Sequence, residues 1–416
     1  MVRQQVGLID CNNFFVSCER LFRPDLRTTP VVVLSSNDGC VVARSQEIKD
    51  KGIPMGVPYF QVKDILSEIG AVAFSSHFAL YRDISRRVFN VVKQRLGSIE
   101  QYSIDECFFL VNPEEAQAVA EELRALVYQE VGIPVSVGIG QSKTQAKYAS
   151  KLAKKSGGVH VMNPGEWLQR QTGIPLGEIW GVGSARTRKF AERELRTVGD
   201  YLTLPRALAR QLFGVEGERL WSELKGESAS VLLKSQEAQK SLMSTRSFAN
   251  ETTKKATVLE ALRYHLHEIV ADLHDMQAVA TSIRVLAYPS RFSDYVLQGM
   301  SVEIVLPVPS DNLFVLERHI LDAVEQNWRP GVPYKKAGIV ANLKPNVGQT
   351  GTLFPNQAEE RTRELTETLL QINKSEGRGA IRLGAVAANK MLWQSRTDAL
   401  SPDYTTNWKC LCEVKA

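Results

Sequence analysis

The chain reads as a multidomain α+β protein, and three observations predict it. Its 416 residues suggest two to four domains. Its composition, 44% hydrophobic and 23% charged, is that of a globular protein with room for real cores. Apolar runs of strand length alternate with runs of helical period over the first 165 residues. A helical stretch and then a second mixed stretch follow.

Taken in order, "QVGLID" (5–10) predicts a strand, "FFVSCERLF" (14–22) a helix and "PVVVLSS" (30–36) a buried strand. "ARSQEIKDKG" (43–52) predicts a helix closed by Gly52. Within 80–96, Ile84, Val88, Val91, Val92 and Leu96 recur at helical spacing. A strand at 99–104 with its return near 107–111, a helix at 114–131, a strand at 134–140 and a helix at 143–155 complete a split βαβ pattern. That pattern carries an insertion near 25–75. "NPGEW" (163–167) predicts a turn and boundary, 166–235 reads as helical, and the polar 236–245 as a linker. A helix near 257–276, strands in "ATSIRVLAY" and "VLQGMSVEIVLPV", a helix at 312–328 and "KKAGIVANLKP" make a small α+β domain, followed by a turn-rich tail from 345.

The formal net charge of +5 permits an anionic partner without requiring one. Cys11, Cys18, Cys40, Cys107, Cys410 and Cys412 include no C-x-x-C pair, which points to reduced structural thiols rather than a zinc site. The chain enters a strand almost at once, so no signal peptide is expected, and no apolar run approaches the ~18 residues of a membrane span.

Three acids carry the chemical interest. Asp10 ends the strand "VGLID", and Asp105 and Glu106 are adjacent in "YSIDECFFL" (102–110). On a regular strand neighbours point to opposite faces, and a buried carboxylate without a partner is costly. A tight hairpin at 105–106 relaxes that alternation and lets both acids lean toward Asp10. Three such charges would raise one another's pKa unless a cation neutralised them. Mg²⁺ suits this, because it takes few protein carboxylates and leaves room for substrate phosphates. An ordinary alternative stands beside it: Asp10 caps the following helix, and the other two acids mark a turn.

The motifs "DCNNFFVSCE" (10–19), "NDGCVVARS" (37–45), "FSSHFALY" (74–81), "YSIDE" (102–106) and "GIGQSKTQAKYASKLAKK" (138–155) occur in one order. Together they resemble a Y-family translesion DNA polymerase. "NDGCV", "EGRG" (376–379) and "LSPDYTT" (400–406) are similar to the UmuC type in particular, that of the catalytic subunit of bacterial DNA polymerase V. The resemblance spans nearly the whole chain. It implies a right-hand polymerase: palm and fingers over 1–165 (a ferredoxin-like palm, with small fingers at about 25–75), a helical thumb over 166–235, an α+β little finger over 242–344 and a C-terminal extension over 345–416.

The same resemblance implies error-prone DNA synthesis in the SOS response to DNA damage. Two Mg²⁺ ions would be held by Asp10, Asp105, Glu106 and the Cys11 carbonyl. Phe15 would be the gate that excludes a ribonucleotide 2′-hydroxyl. Lys49, Lys154 and the backbone amides of Asn13, Phe14 and Phe15 would meet the triphosphate. "IWGVGSARTRKF" (179–190) resembles a helix-hairpin-helix, in which Gly181, Gly183, Arg186 and Arg188 would contact the DNA backbone. His265 and His267 are expected in surface or packing roles.

"QTGTLF" (349–354) has the Leu353–Phe354 end of a sliding-clamp peptide, but Gln349 lies one residue too far away. Expected partners are primer-template DNA, deoxynucleoside triphosphates, a UmuD-like subunit, RecA and the clamp, in the bacterial cytoplasm at the nucleoid and with no membrane. Two rivals remain open. A nucleotidyl cyclase can share the palm and the two-metal acids but has no need of the helix-hairpin-helix or the second α+β domain. A non-catalytic DNA-binding subunit has no use for the acid cluster.

Overall fold

The computed structural model describes residues 4–227, 239–346, 357–377, 379–383 and 396–410. It divides into two compact units. One comprises Met1–Ser35, Gly39–Gln236 and Ala399–Ala416, the other Ser36–Asp38 and Glu237–Asp398.

The first unit opens with β1 (Gln5–Cys11) and α1 (Phe14–Leu21). A small layer follows: β2 (Val31–Leu34), β3 (Val41–Arg44), α2 (Gln46–Asp50), α3 (Tyr59–Glu68) and β4 (Val72–Ser75), with strand order β3-β2-β4 and its own apolar core around Val32, Leu34, Ile48 and Leu66. The expected helix over 43–52 is therefore a strand end plus a one-turn helix. Val41 and Ala43 alternate into the core, and Gly52 closes the turn at φ 75°.

Next come α4 (Phe78–Leu96), β5 (Glu100–Gln101), β6 (Glu106–Val111), α5 (Ala116–Val131), β7 (Val135–Gly140), α6 (Lys143–Ala153) and β8 (Val159–Val161). The main sheet has order β5-β6-β1-β7-β8. β1 is antiparallel to both of its neighbours, and β7 and β8 run parallel. All of β1 is buried because both faces are covered. Ile9 and Cys11 join the core with α4 and α5, while Val6 and Leu8 meet Phe108 and Ala146 of α6.

Two glycines make that packing possible. A Cβ on Gly7 would sit 2.1 Å from the buried Phe109 ring, its register partner. A Cβ on Gly138 would sit 2.0 Å from the Ser150 amide nitrogen, so α6 lies directly on the β7 backbone.

The unit continues with α7 (Pro164–Arg170), α8 (Ser184–Ala191), α9 (Val198–Leu202) and α10 (Arg206–Leu224). "NPGEW" is the start of α7 rather than a turn: the Asn163 side chain accepts from the Glu166 amide at 2.8 Å, and Pro164 occupies the first turn, where its missing N–H costs nothing.

The second unit contains β9 (Ser241–Thr252), α11 (Lys255–Asp275), β10 (Ala278–Pro289), β11 (Met300–Ser310), α12 (Leu313–Asn327), β12 (Tyr334–Pro345) and α13 (Gln357–Ser375). Its sheet is antiparallel throughout, in order β11-β10-β12-β9, and α11 and α12 pack on it around Leu262, Leu266, Ile283, Leu316 and Ile339. Two expectations change here. The stretch expected as a linker holds the start of β9, whose polar residues hide a strand that pairs with β12. The tail also contains the helix α13.

Candidate active site

The hairpin joining β5 to β6 places the three acids. Asp10 and Glu106 are direct partners in the β1–β6 register. Directly paired side chains share a sheet face, and like charges there repel. Both positions continue the series Val6–Leu8 and Phe108, so both carboxylates rise on the face covered by α6. Asp105 lies in the turn, just before β6 begins, where strand alternation no longer holds. Its carbonyl accepts from the Cys11 amide at 2.9 Å, and its carboxylate accepts from the Ser103 hydroxyl at 2.5 Å. Asp10 does not cap α1. The cap position is Asn13, in the left-handed region at φ 47°, with no side-chain cap bond.

α6 supplies the countercharge. Ser142 caps it, accepting from the Gln145 amide at 3.2 Å. Lys143, Lys147, Lys151 and Lys154 follow at helical spacing along one flank. Lys143 reaches both oxygens of Glu100 at 2.8 Å, and Lys151 reaches Glu178 at 2.6 Å. Lys147 bonds both oxygens of Glu106, at 3.0 and 2.8 Å, with its ammonium also over the Tyr102 and Trp180 rings. Lys154 bonds Asp10 at 2.7 Å.

Burial is the largest influence on Asp10. It lifts the carboxyl to about 6 against the pull of Lys154, with Glu106 and Asp105 pushing the same way as burial. Among the described residues no three acid, His or Cys side chains converge as a finished ion cage, since each of the three acids is turned toward its own partner. The donor set is nevertheless suited to a hard divalent cation: neighbouring carboxylate oxygens, mutually repelling and balanced by the Lys147 and Lys154 ammonium groups.

Phe15 projects from the first turn of α1. It stacks on Tyr81 at 4.5 Å between centroids and meets Phe78 edge-on at 5.8 Å. Phe14 is buried, so only its backbone can meet a ligand. The first amides of α1 have no acceptor within the helix, as at any helix start. Lys49 donates to the Asn13 side chain. Burial first, then the charges of Lys154 and Arg44, hold the Lys49 ammonium below its ordinary pKa. Three cations therefore gather beside that helix start. Arg44 and Lys147 were not singled out from the sequence, although the four-residue spacing of the α6 lysines carries a signal for Lys147.

Gly181, at φ 82°, and Gly183, the residue before α8, form a loop open to solvent on its glycine side. The element ahead of it is a single 3₁₀ turn, Leu176–Glu178, rather than a full helix. Arg186 folds back to donate to the Gly181 carbonyl at 3.0 Å, and Arg188 is exposed. Leu353 and Phe354 lie outside the described residues. His265 and His267, expected at the surface or in packing, are both buried in the second unit.

The impB/mucB/samB family matches residues 9–151, its C-terminal domain matches 239–353, and a domain of unknown function, DUF4113, matches 363–414. Protein UmuC of Salmonella typhimurium is 31% identical over 98% of this chain and 100% of its own. Protein ImpB of Salmonella typhimurium is 33% identical over 97% of this chain and 98% of its own. DNA polymerase IV of Corynebacterium diphtheriae is 27% identical over 96% and 88%. In fold, the chain is similar to a Y-family DNA polymerase chimera of Dbh and Dpo4, with TM-score 0.68 at 19% identity over 81% of this chain and 98% of that one. With the acids at the strand edge and likeness to UmuC over nearly all its length, the chain belongs to the impB/mucB/samB family and is an error-prone, translesion DNA-directed DNA polymerase of the UmuC type.

Proposed function

We propose that the edge formed by Asp10, Asp105 and Glu106 is the centre for nucleotidyl transfer, and that it adds deoxynucleotides to a primer 3′-hydroxyl. The observation that carries this reading is the pairing of Asp10 with Glu106 on one sheet face, each held by a lysine from α6. Two like charges placed opposite one another repel, which a bound divalent cation would relieve. The three carboxylates and the Cys11 carbonyl would hold two Mg²⁺ ions. Bound there, the ions would supply the Lewis acidity that makes a hydroxyl nucleophilic and would take up the charge of a departing pyrophosphate.

The chain's own residues then divide the work. The amides of Asn13, Phe14 and Phe15 bind phosphate oxygens at the start of α1. Lys49, Lys154 and Arg44 add fixed positive charge where negative charge develops on the leaving group. The Phe15 ring, backed by Tyr81, closes the space beside the sugar C2′ and excludes a 2′-hydroxyl sterically rather than by attraction.

On this reading the five-stranded sheet is the palm, the small β2–β4 layer the fingers, α7–α10 the thumb, β9–β12 with α11 and α12 the little finger, and residues 345–416 the C-terminal extension. Gly181, Gly183, Arg186 and Arg188 hold the DNA backbone irrespective of sequence. The protein acts on damaged DNA in the bacterial cytoplasm, at the nucleoid, with a UmuD-like subunit, RecA and a sliding clamp as partners. Leu353 and Phe354 form part of the clamp contact. The test is extension of a primer across an abasic site and on intact template with Mg²⁺. Nucleotide addition past the lesion supports the reading, and no addition on either template, with accessory proteins present, overturns it.

A further inference from the structure

Residues 399–404 pack against the end of β4, the start of α4 and the end of α1. Ala399 makes two bonds to Ser75 at the end of β4: the Ser75 amide donates to the Ala399 carbonyl at 2.9 Å, and the Ala399 amide donates to the Ser75 hydroxyl at 3.1 Å. Ser401 is 5% exposed, and its hydroxyl meets His77 Nδ1 at 3.0 Å. Asp403 meets the other ring nitrogen, Nε2, at 3.1 Å. Tyr404 stacks on Phe22, at the end of α1, at 4.7 Å and 7° between planes.

What this segment touches is connected to the gate. His77 is the residue before α4, and its carbonyl accepts from the Tyr81 amide at 3.1 Å. The Tyr81 hydroxyl donates to the fully buried Glu19 at 2.6 Å. Burial pushes the Glu19 carboxyl up, while Tyr81 and then Ser401 pull it down, so the tail supports this acid as well. Tyr81 is the ring on which Phe15 stacks. Phe15 and Glu19 are four residues apart on α1 and lie on the same side of it. The gate ring is thus held by α1 and α4, and residues 399–404 bind the C-terminal end of one helix to the N-terminal end of the other.

We propose that residues 399–404 are a strap that positions the Phe15 ring, with Ser401, Asp403 and Tyr404 acting through His77, Glu19 and Phe22 to set the enzyme's selection against ribonucleotides. This gives a role to part of the region matched as a domain of unknown function, and it rests on the reading of Phe15 as the gate. The contacts of the strap residues are to Ser75, His77 and Phe22 rather than to the Phe15 ring itself. A gate that excludes by contact discriminates only while its ring is held still, because a small displacement reopens space for a hydroxyl. Loosening the strap therefore costs selectivity before it costs turnover.

The experiment measures kcat/KM for a deoxynucleotide and for its ribonucleotide counterpart in the full-length protein. It compares wild type, Phe15→Ala, Ser401→Ala/Tyr404→Ala, Tyr404→Phe, and the first two changes combined. The strap variant is expected to narrow the deoxy-over-ribo preference by about tenfold with deoxynucleotide kcat largely kept. Tyr404→Phe keeps the stacked ring and should discriminate as wild type. Added to Phe15→Ala, the strap change should have no further effect on the preference, since both act on one element.

If the strap double variant does not fold, the single change Asp403→Asn, at a half-exposed side chain, is the substitute and should show a smaller narrowing. A strap variant that discriminates like wild type while Phe15→Ala loses discrimination overturns the strap and leaves the gate intact. Unchanged discrimination in Phe15→Ala overturns the gate reading, and the strap with it.

Discussion

The five-stranded sheet of the first unit and the four-stranded sheet of the second handle ionisable groups in opposite ways. In the first unit, Asp10 and Glu106 stand side by side and are matched by Lys154 and Lys147, so charge is retained and balanced. In the second, His265 and His267 are kept neutral: burial first, then neighbouring arginine and lysine charge, drives His265 down to about 3, and burial and Arg382 drive His267 to about 4. Ser244 meets His265 Nδ1 at 2.8 Å, and His267 Nε2 accepts from the Leu383 amide at 3.0 Å, so each serves as a polar core residue. Balanced charge beside the β5–β6 turn fits the chemistry proposed for the first unit, and suppressed charge in the second unit's core fits packing.

Three substitutions sharpen the contrast. The largest effect on stability is expected from Gly138→Ala. Its new Cβ would meet the backbone of α6, which cannot move aside as a flexible side chain can. A loss of more than ~3 kcal/mol in chemical denaturation is expected. Activity should fall with it, because the lysine stripe is carried on α6. A neutral result would mean that α6 is not held by this contact.

Asp10→Asn should act in the other direction. A carboxyl raised from 3.8 to about 6 costs folding free energy when it is ionised. That cost is fully present above pH 6 and disappears below pH 4, where folded and unfolded chains both hold the proton. The metal-free variant should therefore be more stable than wild type by up to about 3 kcal/mol at pH 8, with the gain vanishing below pH 4. A less stable variant at pH 8 would show that the Lys154 pair outweighs burial.

His265→Gln reverses that pH order. A histidine lowered from 6.5 leaves stability intact above pH 6.5 and removes it as pH falls toward 3, by about 1.4 kcal/mol per pH unit. The variant loses some packing at neutral pH, and its deficit relative to wild type should shrink on acidification. A deficit constant from pH 7 to 4.5 would mean that His265 accepts its proton in the folded state.

Much of this was legible in the sequence, and the misses have physical causes. Strands and helices with apolar periodicity, such as β1, α4 and β12, stand where they were expected. β9 was missed because "SLMSTRSFANET" gains its place from pairing with β12 rather than from its own apolar pattern. α13 is rich in charge and has an apolar stripe too thin to outweigh the turn signals around it.

At the site, the side of the sheet taken by Asp10 follows from strand parity with Val6 and Leu8. The lysines opposite were harder to find, because pairing of α6 with the acids depends on how closely Gly138 lets it approach. Arg44 had no local signal, since it sits at the end of a strand read as a helix. The contact of Ser401 with His77 joins residues 324 apart in sequence, which no local pattern reveals.

On the proposed function, the carboxylates of Asp10, Asp105 and Glu106 perform the chemistry. The most direct measurement is single-turnover addition of one deoxynucleotide to a primer with Mg²⁺, comparing wild type with Asp105→Ala. Asp105 sits in a turn and contributes little to the core, so the variant should fold and bind DNA as wild type does. Its rate is expected to fall by about 10³-fold or more, the loss that follows when charge stabilisation in the transition state is removed. Equal rates for the two proteins would contradict it.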